Sequence, residues 1–271
     1  MHDNQARRLA ESTCFLIALG LVLAVALPLW QFLPDSGAWI LTNDRLLRLM
    51  LGPEQVACYV CALWAALILI GRLREVQRQR RAFSLRLLPD EEGLRILPED
   101  ARPLLSRVEQ IGNSNGPYYL ARMLKLALQR FALTRSAQDA SDTVRAQAEV
   151  DLGQLSASMA TVHYLIWAIP AIGFIGTVRG IGMALTVVPL ADMPLDAFLQ
   201  QASAHLALAF DTTFVALVLS LVVMFLLHKV QREEESLVYD NQAYCLEKLV
   251  NRLYDLGHGE FVPDREVQIE P

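Results

Sequence analysis

Two long apolar runs, 161–188 and 203–227, leave this chain few ways to fold. The first reads TVHYLIWAIPAIGFIGTVRGIGMALTVV and the second SAHLALAFDTTFVALVLSLVVMFLL, with Pro189 and Pro194 in the connector between them. At about 1.5 Å of rise per residue, each run crosses a hydrocarbon core of roughly 30 Å. Hydrocarbon offers no hydrogen bonds to a backbone, so a segment that crosses it must satisfy its own amides. Each run is therefore predicted to be a transmembrane helix.

Neither run is uniformly greasy. On the first, Gly173, Thr177, Gly180 and Ala184 fall four, three and four apart, which stacks them on one helical face. On the second, Ala209, Thr213, Ala216 and Ser220 repeat that spacing. Bulky residues such as Phe174, Ile175, Phe214 and Leu217 lie beside or behind these stripes. Small residues let helices approach closely in a membrane. The same stripes could equally line a narrow polar path with threonine hydroxyls as its hydrogen-bonding groups. Composition leaves both readings open.

Depth adds a second constraint. Thr177 lies about 11 residues before the end of its run and Thr213 about 10 after the start of the next, so both sit roughly 15–16 Å below one surface. Arg179 and Asp211, the formal charges inside the two runs, match in depth at roughly 12–13 Å. A lone charge there is costly, so an intramembrane ion pair between them is expected, within one chain or across neighbouring copies. Each charge lies two residues, or about 200°, from its helix's threonine, which points the pair away from the stripes.

These residues also carry a resemblance. AIPAIGFIGTVRGIGMAL resembles the signature Pro-x-x-Gly-hydrophobic-hydrophobic-Gly-Thr-Val-x-Gly of the MotA/TolQ/ExbB proton-channel family, through Pro170, Gly173, Gly176, Thr177, Val178 and Gly180. AFDTTFVAL is similar to its second signature, Ala-Leu-x-Thr-Thr-x-x-Gly-Leu, through Ala209, Thr212, Thr213 and Leu217. Ala216 stands where that signature has glycine, and Leu208 where several transporter-energising members carry glutamate.

The rest of the chain extends the topology. Thr13–Leu33 is a first apolar run behind Arg7 and Arg8. Ala24-Val25-Ala26 could pass as a cleavage site, but the apolar stretch continues through Trp30 to Leu33 and reads as a retained helix. Pro34–Glu54 reads as a connector lying along the interface, and Gln55–Gly71 as a second span. Arg72, Arg74, Arg78, Arg80, Arg81 and Arg86 follow at once, whereas the connector after Val188 holds Asp192 and Asp196 with no basic residue. The rule that basic loops stay in the cytoplasm then places both termini and the insert inside.

The expected fold is an all-α integral membrane protein with four transmembrane helices and long cytoplasmic helical extensions. It divides into an N-terminal membrane hairpin (1–72), a cytoplasmic helical insert (73–160), a channel hairpin (161–228) and a C-terminal cytoplasmic helix and tail (229–271). In the insert, Gly112–Pro117 carries a loop signal. From Tyr118 on, the helical spacing of Leu124, Leu128, Phe131, Val144, Ala148 and Leu152 predicts one or two long helices running into the third span. After Leu227, Leu237, Tyr244, Leu249 and Leu253 repeat along an amphipathic helix that Gly257–Gly259 would end.

The net charge of −5 and the absence of a dense basic stretch exclude a nucleic-acid binder. Cys58 and Cys61 form a C-x-x-C inside an apolar run with no second pair, and Cys14 and Cys245 stand apart, so no metal site, cofactor or disulfide framework is expected. His163 and His205 sit near the two mouths of the channel hairpin and read as interfacial histidines. Nucleotide-binding and nucleophile motifs are missing, so the chain is not expected to be an enzyme.

What the resemblance implies is a pore-forming subunit of a proton-driven or sodium-driven motor in the bacterial inner membrane. It would be a homo-oligomer, a pentamer, around a single-span ExbD/TolR/MotB-like partner with an intramembrane aspartate. Thr177, Thr213 and Thr212 would lie on the ion pathway beside that aspartate. Gly173, Gly176, Gly180, Ala184, Ala209, Ala216 and Ser220 would form the packing stripe of the pore. Within the family a TolQ/ExbB-like envelope energiser fits better than a flagellar-type stator or a phage-defence channel. Outside it, the rival expectation is a non-conducting membrane scaffold.

Overall fold

A computed structural model describes residues 2–31, 52–85, 87–88, 95–116, 118–187 and 194–254. Among these the chain is helical almost throughout. The helices are α1 (His2–Gln31), α2 (Pro53–Arg80), α3 (Ala101–Asn115), α4 (Tyr119–Thr134), α5 (Ala137–Ala157), α6 (Ala160–Thr186) and α7 (Leu195–Lys248). Four stretches, Glu11–Pro28, Pro53–Leu85, Ala137–Thr186 and Leu195–Arg252, each contain a helix long and apolar enough to cross a membrane. The four-span, all-α expectation is what the chain adopts.

The chain forms two compact units, Met1–Leu73 with Ala157–Gln231, and Arg74–Ser156 with Arg232–Pro271. The first holds the apolar helices. Its core joins Cys58, Ala62, Ala65 and Leu69 of α2 to Val162, Leu165 and Ile169 of α6 and to Ala216, Val223, Leu227 and Val230 of α7. Each set recurs at three, four or seven residues, so each helix presents one stripe to the others. α1 is attached at fewer points. Its Phe15 ring packs on Trp64 at 4.9 Å, the Trp64 indole donates to the Glu11 carbonyl at 3.1 Å, and Thr161 donates to the Glu11 carboxylate at 3.1 Å.

The second unit is built on α4. Leu120, Leu124, Leu128 and Phe131 are buried at 1% exposure or less, against Ala140, Val144 and Ala148 of α5 and Val238, Cys245 and Leu249 of α7. Arg135 ends α4 in the left-handed region (φ 55°), its amide donating to the Phe131 carbonyl. Ser136 then caps α5, accepting from the Asp139 amide at 3.3 Å. Ile96 and Leu253 form an isolated parallel bridge.

Two expectations fail here. Gly112–Pro117 is not a loop throughout: α3 runs to Asn115, and Gly116, at φ 104°, caps it. The reason is packing, since Gly112 lies close to Ala121 of α4 and Glu109 pairs with Lys125 at 2.7 Å. The C-terminal helix stops at Lys248 and gives way to a 3-10 turn at Val250–Arg252, before the Gly257–Gly259 expected to end it. Those glycines lie outside the described residues, as do most of the Pro34–Glu54 connector and the connector at 188–193.

Candidate functional site

The hairpin of α6 and α7 is held by three close approaches. A Cβ built on Gly173 would lie 2.4 Å from the Ala216 Cβ, one on Gly176 2.8 Å from the Thr212 hydroxyl, and one on Gly180 2.6 Å from the Ala209 Cβ. Contacts that ascend along α6 descend along α7, so the helices run antiparallel with glycine against a small or hydroxyl residue at each level. The stripes are thus used for helix packing over this length, with Ala216 and Ala209 fully buried. Thr212 belongs to the same buried layer: it is 2% exposed and donates to the Ala209 carbonyl at 2.7 Å. Ala184, half-buried, lies one turn beyond the last contact.

Between the Gly173 and Gly180 contacts sit the two threonines. Their hydroxyls hydrogen-bond each other. Each also lies near the same two carbonyls: Thr177 is 3.3 Å from both Gly173 O and Ala209 O, and Thr213 is 3.2 and 3.4 Å from them. Two hydroxyl protons therefore face more acceptors than they can satisfy at once, and rotation of either hydroxyl exchanges one arrangement for another. Both residues are only half-buried, whereas Phe174, Ile175, Val178, Phe210 and Phe214 around them are exposed and apolar. The result is one polar spot at mid-helix on a hydrocarbon surface.

Within the chain, Arg179 donates to the carboxylate of Glu54 at 2.8 Å. Asp211 is itself buried at 7% exposure. Depth fixes one coordinate of a side chain and leaves its direction around the helix open. The neighbour that packs beside α6 decides the partner, and here it is the first turn of α2. Glu54 was missed because it closes an apparent connector. The signal was present, however: Pro53 at the first helical position and an acid beside it mark a helix start.

The remaining candidates fall into place more simply. Ser220 donates to the Ile166 carbonyl across the hairpin at 3.2 Å. His163 is exposed with Nδ1 2.9 Å from the Met159 carbonyl, and the His205 ring is half-buried. Trp167 is 71% exposed. All four cysteines are free, and the described residues contain no group of three potential metal ligands.

No curated protein and no solved structure matches the chain. One family model does, and it covers the second unit's α4 and α5, the whole hairpin, and α7 as far as Gln242. Residues 117–242, which contain the glycine and threonine contacts described above, match the model of the MotA/TolQ/ExbB proton channel family.

Proposed function

We propose that this protein is the pore-forming subunit of a motor in the bacterial inner membrane, driven by protons or sodium ions, and more specifically a TolQ/ExbB-like envelope energiser. The observation that carries the reading is the half-exposed Thr177–Thr213 pair at mid-helix. A hydroxyl can accept and donate in turn, so the pair can pass a proton or support a carrier beside it. It cannot itself hold a proton across a low-dielectric gap, a task that needs a titratable group. The carboxylates of Glu54 and Asp211 do not serve. Glu54 is held by Arg179, and Asp211 is buried two residues away from Thr213 on another face. The carrier is therefore supplied by a second chain: a single-span partner whose membrane helix brings an aspartate to the threonines. The subunit forms a homopentamer around that partner, keeps both termini in the cytoplasm, and performs no covalent catalysis.

The experiment is proton uptake by liposomes. Vesicles holding this chain alone should stay tight, and vesicles holding it with the single-span protein should conduct. Native mass spectrometry of the co-purified complex measures the stoichiometry. Conduction by the chain alone would overturn the division of labour. The close Gly173, Gly176 and Gly180 contacts favour one rival, a non-conducting scaffold that uses its stripes only to pack. That rival predicts a tight membrane in both preparations.

A further inference from the structure

α6 carries Pro170 in its interior. Proline has no amide proton, so the carbonyl four residues earlier, that of Ile166, loses its helical donor, and the ring crowds it outward. Within a membrane no water is at hand to replace that bond. The structure provides a donor from the other helix, since Ser220 Oγ lies 3.2 Å from the Ile166 oxygen. Serine within a helix commonly bonds its own carbonyl four residues back, which here would be Ala216. The described hydrogen bond goes across the hairpin instead.

The geometry points to Ser220 as a positioning residue: its hydroxyl replaces the amide that Pro170 removes and so ties α6 to α7 at that level. Pro170 lies seven residues before Thr177 and Ser220 seven after Thr213, two turns in each helix. A tie between the helices at this level therefore sets how the two threonine hydroxyls meet. The consequence for flux rests on the motor reading above; the hydrogen bond and its effect on the hairpin do not.

The relation between the two residues makes a sharp test. Pro170→Ala restores an amide at position 170, which can satisfy Ile166 from within α6 and should make Ser220 dispensable. The thermal midpoint of the purified full-length chain in detergent is measured for the wild type, Ser220→Ala, Ser220→Thr, Pro170→Ala and the Pro170→Ala/Ser220→Ala double variant. Ser220→Ala should lower the midpoint by about 3–6 °C when Pro170 is present and by less than about 2 °C when it is absent. Ser220→Thr, which keeps the hydroxyl, should stay near the wild type. In liposomes with the partner, Ser220→Ala should reduce flux roughly tenfold and Ser220→Thr should restore it. Equal losses in both Pro170 backgrounds, or a Ser220→Thr variant as impaired as Ser220→Ala, would overturn the inference. A coupled stability cycle in a complex that never conducts would sustain the role of Ser220 and reject the motor reading.

Discussion

Adding a single methyl group at Gly180 tests the hairpin most directly. In Gly180→Ala the new Cβ would lie 2.6 Å from the Ala209 Cβ, 3.0 Å from its Cα and 3.1 Å from its amide nitrogen. Carbon atoms rest at about 3.5–4.0 Å, so the closest of these contacts is short by roughly 1 Å. None of the three atoms can be moved by a rotamer change. The helices must separate instead, and the hydroxyl–carbonyl distances at Thr177 and Thr213, already 3.2–3.4 Å, would pass out of hydrogen-bonding range. Gly182 is the matched control, with nothing within 4 Å of a Cβ built there. Both substitutions gain about 1 kcal/mol of helix propensity, so their difference isolates the contact. Overpacking of this kind costs about 1–3 kcal/mol. For a chain of this size that is a difference of about 2–12 °C in thermal midpoint, with Gly180→Ala the lower. Detergent-purified protein gives the midpoint, and liposomes with the partner should show flux lost in Gly180→Ala and kept in Gly182→Ala. Equal midpoints for the two variants would mean that α6 and α7 do not touch at Gly180.

Three further outcomes follow from particular contacts. Thr177→Val and Thr213→Val keep the shape of the side chain and remove its hydroxyl, so each should cut proton flux at least about tenfold while native mass spectrometry still finds the assembled complex. Wild-type flux in both would take the pair off the pathway. Glu54→Gln leaves Arg179 without its carboxylate. Because Arg179 is 37% exposed, the cost should fall below the roughly 2.5–3.5 kcal/mol of a charge at mid-membrane, at about 1–2 kcal/mol. The Glu54→Gln/Arg179→Met double variant should recover most of it, and additive losses in that cycle would refute the pairing. In the second unit, Asp151 is 2% exposed, bonded to Arg122 and Gln147, and burial raises its pKa from the ordinary 3.8 despite them. A carboxyl with a raised native pKa binds its proton more tightly when folded. Its contribution to stability is thus full below the unfolded value and is lost as pH rises through the folded one. Wild-type stability relative to Asp151→Asn should rise as pH falls from about 7 towards 4, and a gap that moves the other way would contradict this.

The four spans were legible from the sequence because crossing hydrocarbon is a property of a single segment, set by length and apolar content. The faces of the hairpin were legible for a similar reason: a helical period places Gly173, Thr177 and Gly180 together whatever surrounds them. The core of the second unit followed from the same period, with Leu124, Leu128, Phe131 and Val144 all fully buried. What those stripes meet was not legible. That Gly180 rests on Ala209, and that Thr212 is sealed under Gly176 while Thr213 stays half-open, depends on the rotation of one helix against another. The loop signal at Gly112–Asn115 was overridden in the same way, since α4 offers that segment a packing partner and turn residues only weakly oppose a helix. Glu54 and Arg179 are 125 residues apart in the chain, and Ser220 and Ile166 are 54 apart. The sequence supplied the cost of each isolated group, a charge at depth and a carbonyl robbed of its donor by Pro170. Only the tertiary structure decided who relieves it, because depth fixes one coordinate and packing around the helix fixes the other.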